Sequence, residues 1–115
     1  PTLTVEQPER YTLHFLADGR LALRLDCNRG TGSWQTSPDA AGTSGQLSFG
    51  PIATTRMFCP QPSLESRVGG DLGFVRSYLL RDGHLFLSLM ADGGIYEWQP
   101  LPADASPERP GRPQP

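Results

Sequence analysis

The chain has 115 residues, which suffices for one domain with a single hydrophobic core, and its net charge is −2. Its acidic and basic residues are nearly balanced and no stretch concentrates positive charge, so we expect no nucleic-acid partner. No apolar run reaches the ~18 residues of a transmembrane helix, and the absence of lysine excludes Schiff-base chemistry and the P-loop lysine.

The chain begins with the pattern of a β-hairpin. Apolar and polar side chains alternate in YTLHF (11–15) and again in LALRL (21–25), as in strands with one buried face. The intervening ADGR (17–20) contains an Asp-Gly pair, which is typical of a tight turn.

A short polar run, DCNRGTGSW (26–34), follows this hairpin. We interpret it as a continuation of the second strand, whose two glycines form a bulge or tight corner before a third strand at 32–36. Residues 37–45 have the composition of a loop, and residues 47–55 are predicted to be extended.

The second half of the chain predicts one helix and then a three-stranded meander. Residues 63–74 carry apolar side chains at near-helical spacing, although two adjacent glycines leave the length of the helix open. Residues 74–81, 84–90 and 95–99 have the composition of strands, and Asp-Gly turns separate them.

These patterns divide the chain into three parts. Residues 1–10 form an N-terminal segment, and residues 11–99 form the domain. Residues 100–115 contain six prolines and almost nothing apolar. A segment of this composition buries too little surface to become ordered, so we predict a disordered tail.

The two cysteines, Cys27 and Cys59, form an even pair, which is compatible with a disulfide in an oxidising compartment. Their spacing fits no zinc motif. A cysteine-dependent enzyme is a lesser alternative, in which either thiol would need His14 or His84 as its base. Because no third, orienting group can be assigned, we predict no enzymatic activity and no catalytic residue.

Cofactor and metal sites are not predicted either. Gly30 and Gly32 lack the third glycine of a phosphate-binding loop, and β sequence follows them where a helix would be needed. Four aspartates are candidate metal ligands: Asp18, Asp26, Asp82 and Asp92. Three of them stand in turns that already explain their presence.

A patch of four residues is our candidate site for a protein partner. If Trp34 points outward, it would join Asn28, Arg29 and Arg56 in the kind of anchor that interfaces favour. Strand parity does not decide the direction of Trp34 across a bulge. For most of the other aromatic residues, Phe58 among them, we expect packing in the core or at strand edges.

Four stretches together resemble the META domain family, to which HslJ-like bacterial heat-shock proteins belong. LHFLADGRLALRLDCNRGTGSW (13–34) has the family's strand, Asp-Gly turn and Cys-Asn motif, and QLSFGPIATTRMFC (46–59) has its Thr-x-Met-x-Cys motif. SYLLRDGHLFLSL (77–89) and IYEWQP (95–100) follow in the family's order. The resemblance covers about residues 10–99.

The resemblance implies a mainly antiparallel β fold with one helix (α+β), in which the helix packs on a curved sheet or partial β-barrel. It implies an exported bacterial protein of the periplasm or outer membrane, without enzymatic activity, that acts as an envelope-stress or binding module. The alternative is a periplasmic protein-partner or inhibitor module, similar in size and β character to lysozyme inhibitors. We expect a monomer, a protein partner in the cell envelope, and Cys27 paired with Cys59; a lipid anchor would precede the chain.

Two departures from the family pattern bear on the structure. The family usually opens with a further strand that carries a tryptophan, whereas only residues 1–10 precede the first strand here. A missing first strand would leave one edge of the sheet exposed. Asp26 stands where many members have glycine, which bears on the local backbone conformation.

Overall fold

A computed structural model describes residues 3–101, and within them eight strands and one α-helix form the fold. The strands are β1 (Tyr11–Phe15), β2 (Arg20–Leu25), β3 (Asn28–Pro38), β4 (Ser44–Phe49), β5 (Ala53–Thr54), β6 (Val75–Arg81), β7 (His84–Leu89) and β8 (Ile95–Trp98). The helix α1 is Glu65–Leu72, and two short 3₁₀ turns lie at Pro8–Arg10 and Met90–Asp92.

The strands form one antiparallel sheet in the order β1-β2-β3-β4-β6-β7-β8, which curls into a half-barrel. The long strand β3 joins the two halves of the sheet, because its first part pairs with β2 and its second part with β4. The short strand β5 pairs with Gly30 and Thr31 of β3, on the edge of β3 opposite β2. The predicted curved antiparallel sheet with one helix is therefore confirmed.

Asp-Gly pairs form hairpin turns as predicted. Asp82 and Gly83 both have positive φ, 54° and 79°, in the two-residue turn that joins β6 to β7. The predicted meander and helix are present, with the helix confined to Glu65–Leu72. The loop predicted at 37–45 is shorter in the structure, because β3 extends to Pro38 and β4 begins at Ser44.

The prediction of a bulge or corner at the glycines of DCNRGTGSW was wrong. The chain turns earlier, at Asp26 and Cys27, and Asn28 already pairs with the last residue of β2. Gly30 lies within a regular part of β3, where a Cβ atom would stand 2.7 Å from the carbonyl oxygen of Ala53. This glycine is needed for the close approach of β5, and not for a change of direction.

The core lies between the sheet and α1. We call the face of the sheet that packs on this core the inner face, and the opposite one the outer face. The buried cluster comprises Leu21, Leu23, Leu25, Leu47, Val68, Leu72, Val75, Leu87 and Leu89. Full burial of one such side chain contributes roughly 1.5–3 kcal/mol, so this cluster is the main source of stability.

The helix is fastened to both halves of the sheet. Val68 and Leu72 are its buried residues, and Gly69 approaches the Leu25 side chain of β2. On the other side, the Tyr96 hydroxyl of β8 donates a hydrogen bond of 2.7 Å to the Asp71 carboxylate. Burial and this carboxylate raise the pKa of Tyr96 well above its ordinary value of 10.0. The described part of the chain contains no helix long and apolar enough to cross a bilayer.

Strands β1 and β8 are the two edges of the sheet. Residues 3–7 form no strand, so the edge of β1 has no partner strand within the described residues. Most of the predicted disordered tail, residues 102–115, lies outside the described residues.

Candidate binding site at the disulfide

A disulfide joins Cys27 and Cys59, whose Cα atoms are 5.6 Å apart, so the predicted pairing is confirmed. Cys27 belongs to the turn between β2 and β3, and Cys59 lies in the segment that leads from β5 to α1. The bridge therefore fastens this otherwise irregular segment, residues 55–62, to the end of a core hairpin.

Asn28 is the centre of the contacts around the disulfide, and its side chain is fully buried. Its Nδ2 donates to the Met57 carbonyl oxygen at 2.9 Å and to Glu65 Oε2 at 3.0 Å. Its Oδ1 accepts from the Met57 amide at 2.8 Å and from the Thr55 hydroxyl at 2.7 Å. The side chain thus uses both donors and both lone pairs, as a buried amide must.

The two cysteine motifs form one structural unit through these bonds. Cys27 and Asn28 supply one side of it, while Thr55, Met57 and Cys59 supply the other. The amide Nδ2 of Asn28 also lies 3.4 Å from the Cys59 sulfur. Thr55 reaches Asn28 with its hydroxyl and Cys59 with its sulfur, whereas Met57 does so with its backbone amide and carbonyl groups.

Asp26 holds the turn beside this unit. Its φ of 58° lies in the left-handed region that glycine adopts without cost, which accounts for glycine at this position in many family members. Its carboxylate accepts a hydrogen bond of 2.8 Å from Arg10, and its carbonyl accepts one of 2.8 Å from Arg24. Hydrogen bonds from the Ser63 hydroxyl and the Arg10 guanidinium hold the pKa of Asp26 below its ordinary value of 3.8.

The four residues of the predicted partner-binding patch do not form one surface. Asn28 is buried and its side chain bonds to other residues of the domain, so it offers no side-chain surface to a partner. Trp34 packs on the inner face, where its ring meets Phe15 edge-to-face at 5.6 Å and its Nε1 donates to the Leu16 carbonyl at 3.0 Å. Arg29 lies an odd number of residues from Trp34 on β3, so it belongs to the outer face.

Arg29 and Arg56 lie on neighbouring backbone segments. The Thr55 amide donates to the Arg29 carbonyl at 2.9 Å, and the Arg29 amide donates to the Thr55 hydroxyl at 3.1 Å. These bonds place the backbone of Arg56 next to the start of β3. Both arginines are exposed.

Met57 and Phe58 are surface residues that sequence reasoning missed. Phe58 is 83% exposed and Met57 is 63% exposed, although core or strand-edge packing was expected for the phenylalanine. We call Arg56, Met57 and Phe58 the 56–58 loop. The local sequence carried no signal for this exposure, because it follows from the contacts that hold Thr55, Met57 and Cys59 at Asn28.

Within the described residues, no three histidine, cysteine, aspartate or glutamate side chains are grouped so as to hold a metal ion. His84 bonds to Glu97 at 2.6 Å, and His14 lies on the outer face of β1 opposite Ala22. The sulfur atoms of the disulfide contact Asn28 and the backbone of Cys27 instead.

Two concavities are present in the described part of the chain. One, of about 540 Å³, is lined chiefly by neutral polar side chains of β3, β4 and β6 together with Arg76. The other, of about 280 Å³, is lined mainly by apolar side chains, including Phe15, Trp34 and Leu85. Neither is lined by a carboxylate, a histidine or a cysteine.

Comparison with known proteins identifies the family. The sequence model of the META domain matches residues 2–99. No curated protein and no solved structure matches the chain. The match covers most of the chain and all of its sheet, including both cysteine motifs. The chain belongs to the META domain family.

Proposed function

We propose that this META domain is an exported, non-enzymatic binding module that presents the 56–58 loop to a protein partner. The observation that carries the proposal is the 83% exposure of Phe58 on a segment fixed by a disulfide and by Asn28. An exposed aromatic side chain gains free energy when another surface covers it.

The rigid attachment of the loop favours binding. The hydrogen bonds of Asn28 to Thr55 and Met57 fix the backbone before Phe58, and the disulfide fixes the residue after it. A partner therefore does not have to pay for ordering this segment, and that saving strengthens association. Arginine, methionine and phenylalanine are also residue types that protein interfaces enrich.

The surroundings of the cysteines support a non-enzymatic role. Both sulfur atoms are in the disulfide, so neither is a thiolate nucleophile in this form. The side chain beside them is Asn28, whose amide cannot act as a general base.

Export is the part of the proposal that the disulfide supports. Such bonds persist in oxidising compartments such as the bacterial periplasm and are rare in the cytosol. We include in this proposal an envelope location, periplasmic or lipid-anchored, and a role in envelope stress such as heat shock. If the partner is an envelope hydrolase, the rigid, exposed loop makes inhibition of that hydrolase the second candidate function.

Crosslinking from the loop tests the proposal. A photoreactive amino acid at position 56 should capture a specific protein in an envelope extract, and Phe58→Ser should reduce this capture by about tenfold, as expected for an interface anchor. The matched control is Phe74→Ser, because Phe74 is also largely exposed, at 58%, but lies beyond the helix. Equal capture by Phe58→Ser and the unsubstituted protein would contradict the proposal.

Two further assays separate its parts. Thiol labelling of the protein inside cells should find Cys27 and Cys59 oxidised; free thiols would refute export to an oxidising compartment. A captured hydrolase that keeps full activity in the complex would remove the inhibitor alternative.

A further inference from the structure

Strands β4 and β6 separate on the outer face of the sheet and leave a cleft between them. Strand β4 pairs with β6 from Ser44 to Gln46, whereas its remaining residues, up to Phe49, are not paired with β6. The concavity of about 540 Å³ described above lies where the two strands separate. Its size is typical of sites for small molecules. We call this concavity the β4–β6 cleft.

A β-bulge in β6 brings two consecutive residues to one wall of the cleft. Val75 pairs with Leu89 and Ser77 pairs with Ser88, so Arg76 is the additional residue between them. Such a bulge interrupts the regular alternation of side chains between the two faces. Val75 is buried on the inner face, while Arg76 and Ser77 both line the cleft. The bulge therefore adds a guanidinium group to this wall.

The opposite wall carries amide and hydroxyl groups. Gln35 of β3 and Ser48 of β4 are direct cross-strand partners, and so are Ser37 and Gln46. Leu47, which stands between the two residues of β4, is buried on the inner face, so these four residues lie on the outer face. All four line the cleft. Two glutamines and two serines thus face the bulge of β6 across the cleft.

The polar side chains of the cleft have unused hydrogen-bonding capacity. In the part of the chain that the structure describes, none of them forms a hydrogen bond or ion pair with another residue: Gln35, Ser37, Gln46, Ser48, Arg76 and Ser77. Each amide and each hydroxyl group can both donate and accept, and the guanidinium group only donates. The lining therefore suits a ligand that is rich in hydroxyl groups and carries an anionic group for Arg76.

We propose that the β4–β6 cleft binds an oligosaccharide that bears a carboxylate. Its ring hydroxyls bond to the glutamines and serines, because a sugar hydroxyl both donates and accepts as they do. Its carboxylate pairs with Arg76, whose guanidinium can form two parallel hydrogen bonds with it. A nucleic acid would need several basic groups, whereas Arg76 is the one basic residue among the described residues that line the cleft. An apolar ligand would leave the polar lining without partners.

The cleft is distant from the 56–58 loop. Hydrogen bonds of Thr55 hold the loop beside Arg29, at the start of β3, whereas the cleft begins at Gln35, further along the same strand. The intervening length of strand spans roughly 20 Å. The inference therefore goes beyond the proposed function and does not depend on it.

Two probes represent two sources of such a saccharide. One is tetragalacturonate, an oligomer of uronic acids, and the other is a tetrasaccharide of alternating N-acetylglucosamine and N-acetylmuramic acid. Titration of isotope-labelled protein, followed by NMR, measures the affinity and locates the site from the backbone amide signals that shift. We expect at least one probe to bind, with the largest shifts at Gln46, Ser48 and Ser77, and the probe that binds identifies the source. Absence of binding by both probes at millimolar concentration, or shifts confined to other residues, would overturn the proposal.

Two further compounds test the chemistry of recognition. The methyl ester of the bound saccharide should bind about tenfold more weakly, because it presents no negative charge to Arg76. Tetraglutamate, a peptide that offers carboxylates without ring hydroxyls, should also bind at least tenfold more weakly than the saccharide. Equal affinity of this peptide and the saccharide would refute the choice of a saccharide ligand.

Variants of the protein test the named side chains. Arg76→Gln should weaken saccharide binding by about tenfold and Gln46→Ala by about fivefold, as expected for loss of a charged and of a neutral hydrogen bond. Arg76→Lys should retain more affinity than Arg76→Gln because it keeps the charge. Arg81→Gln is the matched control, since Arg81 is an exposed arginine at the other end of β6. Thermal unfolding verifies that each variant is folded, and equal affinities of Arg76→Gln and Arg81→Gln would contradict the role of Arg76.

The two proposed sites are separated by exchanging their variants. Phe58→Ser should leave saccharide binding unchanged, and Arg76→Gln should leave protein capture from position 56 unchanged. Loss of saccharide binding in folded Phe58→Ser protein would contradict a separate site in the cleft. Failure of the saccharide to bind would leave the crosslinking result as it stands, so either proposal can fail without the other.

Discussion

Asn28 shows how one polar residue can organise a segment that lacks regular structure. Its amide replaces the missing strand partner for the backbone of Met57, donating to the carbonyl and accepting from the amide group. Buried backbone groups need such partners, because an unpaired group costs about as much as a lost hydrogen bond. The Cys-Asn motif is therefore a structural device for holding the chain between β5 and α1.

We predict that Asn28→Ala destabilises the protein by about 3 kcal/mol, because it removes the buried amide that bonds to the Met57 backbone, the Thr55 hydroxyl and the Glu65 carboxylate. Urea unfolding under oxidising conditions, which keep the disulfide intact, measures the free energy of unfolding. Gln35→Ala is the control, since this exposed residue of the same strand should change stability by no more than about 0.5 kcal/mol. A loss below about 1 kcal/mol for Asn28→Ala would show that water replaces its bonds.

The elements of this fold differ in how far local sequence specifies them. Alternation predicted the hairpin of β1 and β2 and the meander of β6 to β8, because each of these strands has one face on the core. Local sequence also indicated the helix, although the helix of the structure, Glu65–Leu72, is shorter than the predicted 63–74.

The start of β3 was missed because its signal comes from a distant segment. The residues Asn28, Gly30 and Gly32 do not show an apolar stripe, since β5 and the Thr55–Cys59 segment cover them in place of large side chains. Because β3 runs in regular register from Asn28, successive side chains alternate between the two faces, so Arg29 lies on the outer face and Trp34 on the inner face. The 56–58 loop could therefore be predicted only in part: Arg56 was named from sequence, whereas the exposure of Phe58 depends on the long-range contacts of Asn28.

We predict that Gly30→Ala destabilises the protein by about 2 kcal/mol, because the added Cβ would lie 2.7 Å from the Ala53 carbonyl oxygen. Gly70→Ala is the matched control. A Cβ at this helix position meets nothing within 4 Å, and alanine should stabilise the helix by roughly 0.5–1 kcal/mol. Chemical denaturation of both variants tests the contrast, and equal effects would refute the proposed close packing of β5 on β3.

The molecule as a whole is stabilised by a modest hydrophobic core and by one covalent cross-link, the disulfide. A domain of this size has a free energy of unfolding of about 5–15 kcal/mol. Its disulfide spans a sequence separation of 32 residues, for which the chain-entropy model gives roughly 3–4 kcal/mol. The disulfide also fixes Cys59, the residue after Phe58. The stability of the domain and the position of the 56–58 loop therefore depend on the same bond.

We therefore predict that reduction lowers the free energy of unfolding by roughly 3–4 kcal/mol and, in protein that is still folded, weakens binding through the 56–58 loop. Urea unfolding with and without reductant measures the first effect, and crosslinking from position 56 in the absence of denaturant measures the second. The double variant Cys27→Ser/Cys59→Ser is the control, since reductant should change neither property. Because Asn28 still holds Met57 after reduction, we expect Asn28→Ala to add to the loss of binding. Unchanged affinity in the folded, reduced protein would show that Asn28 alone suffices to hold the loop, and that the disulfide serves stability only.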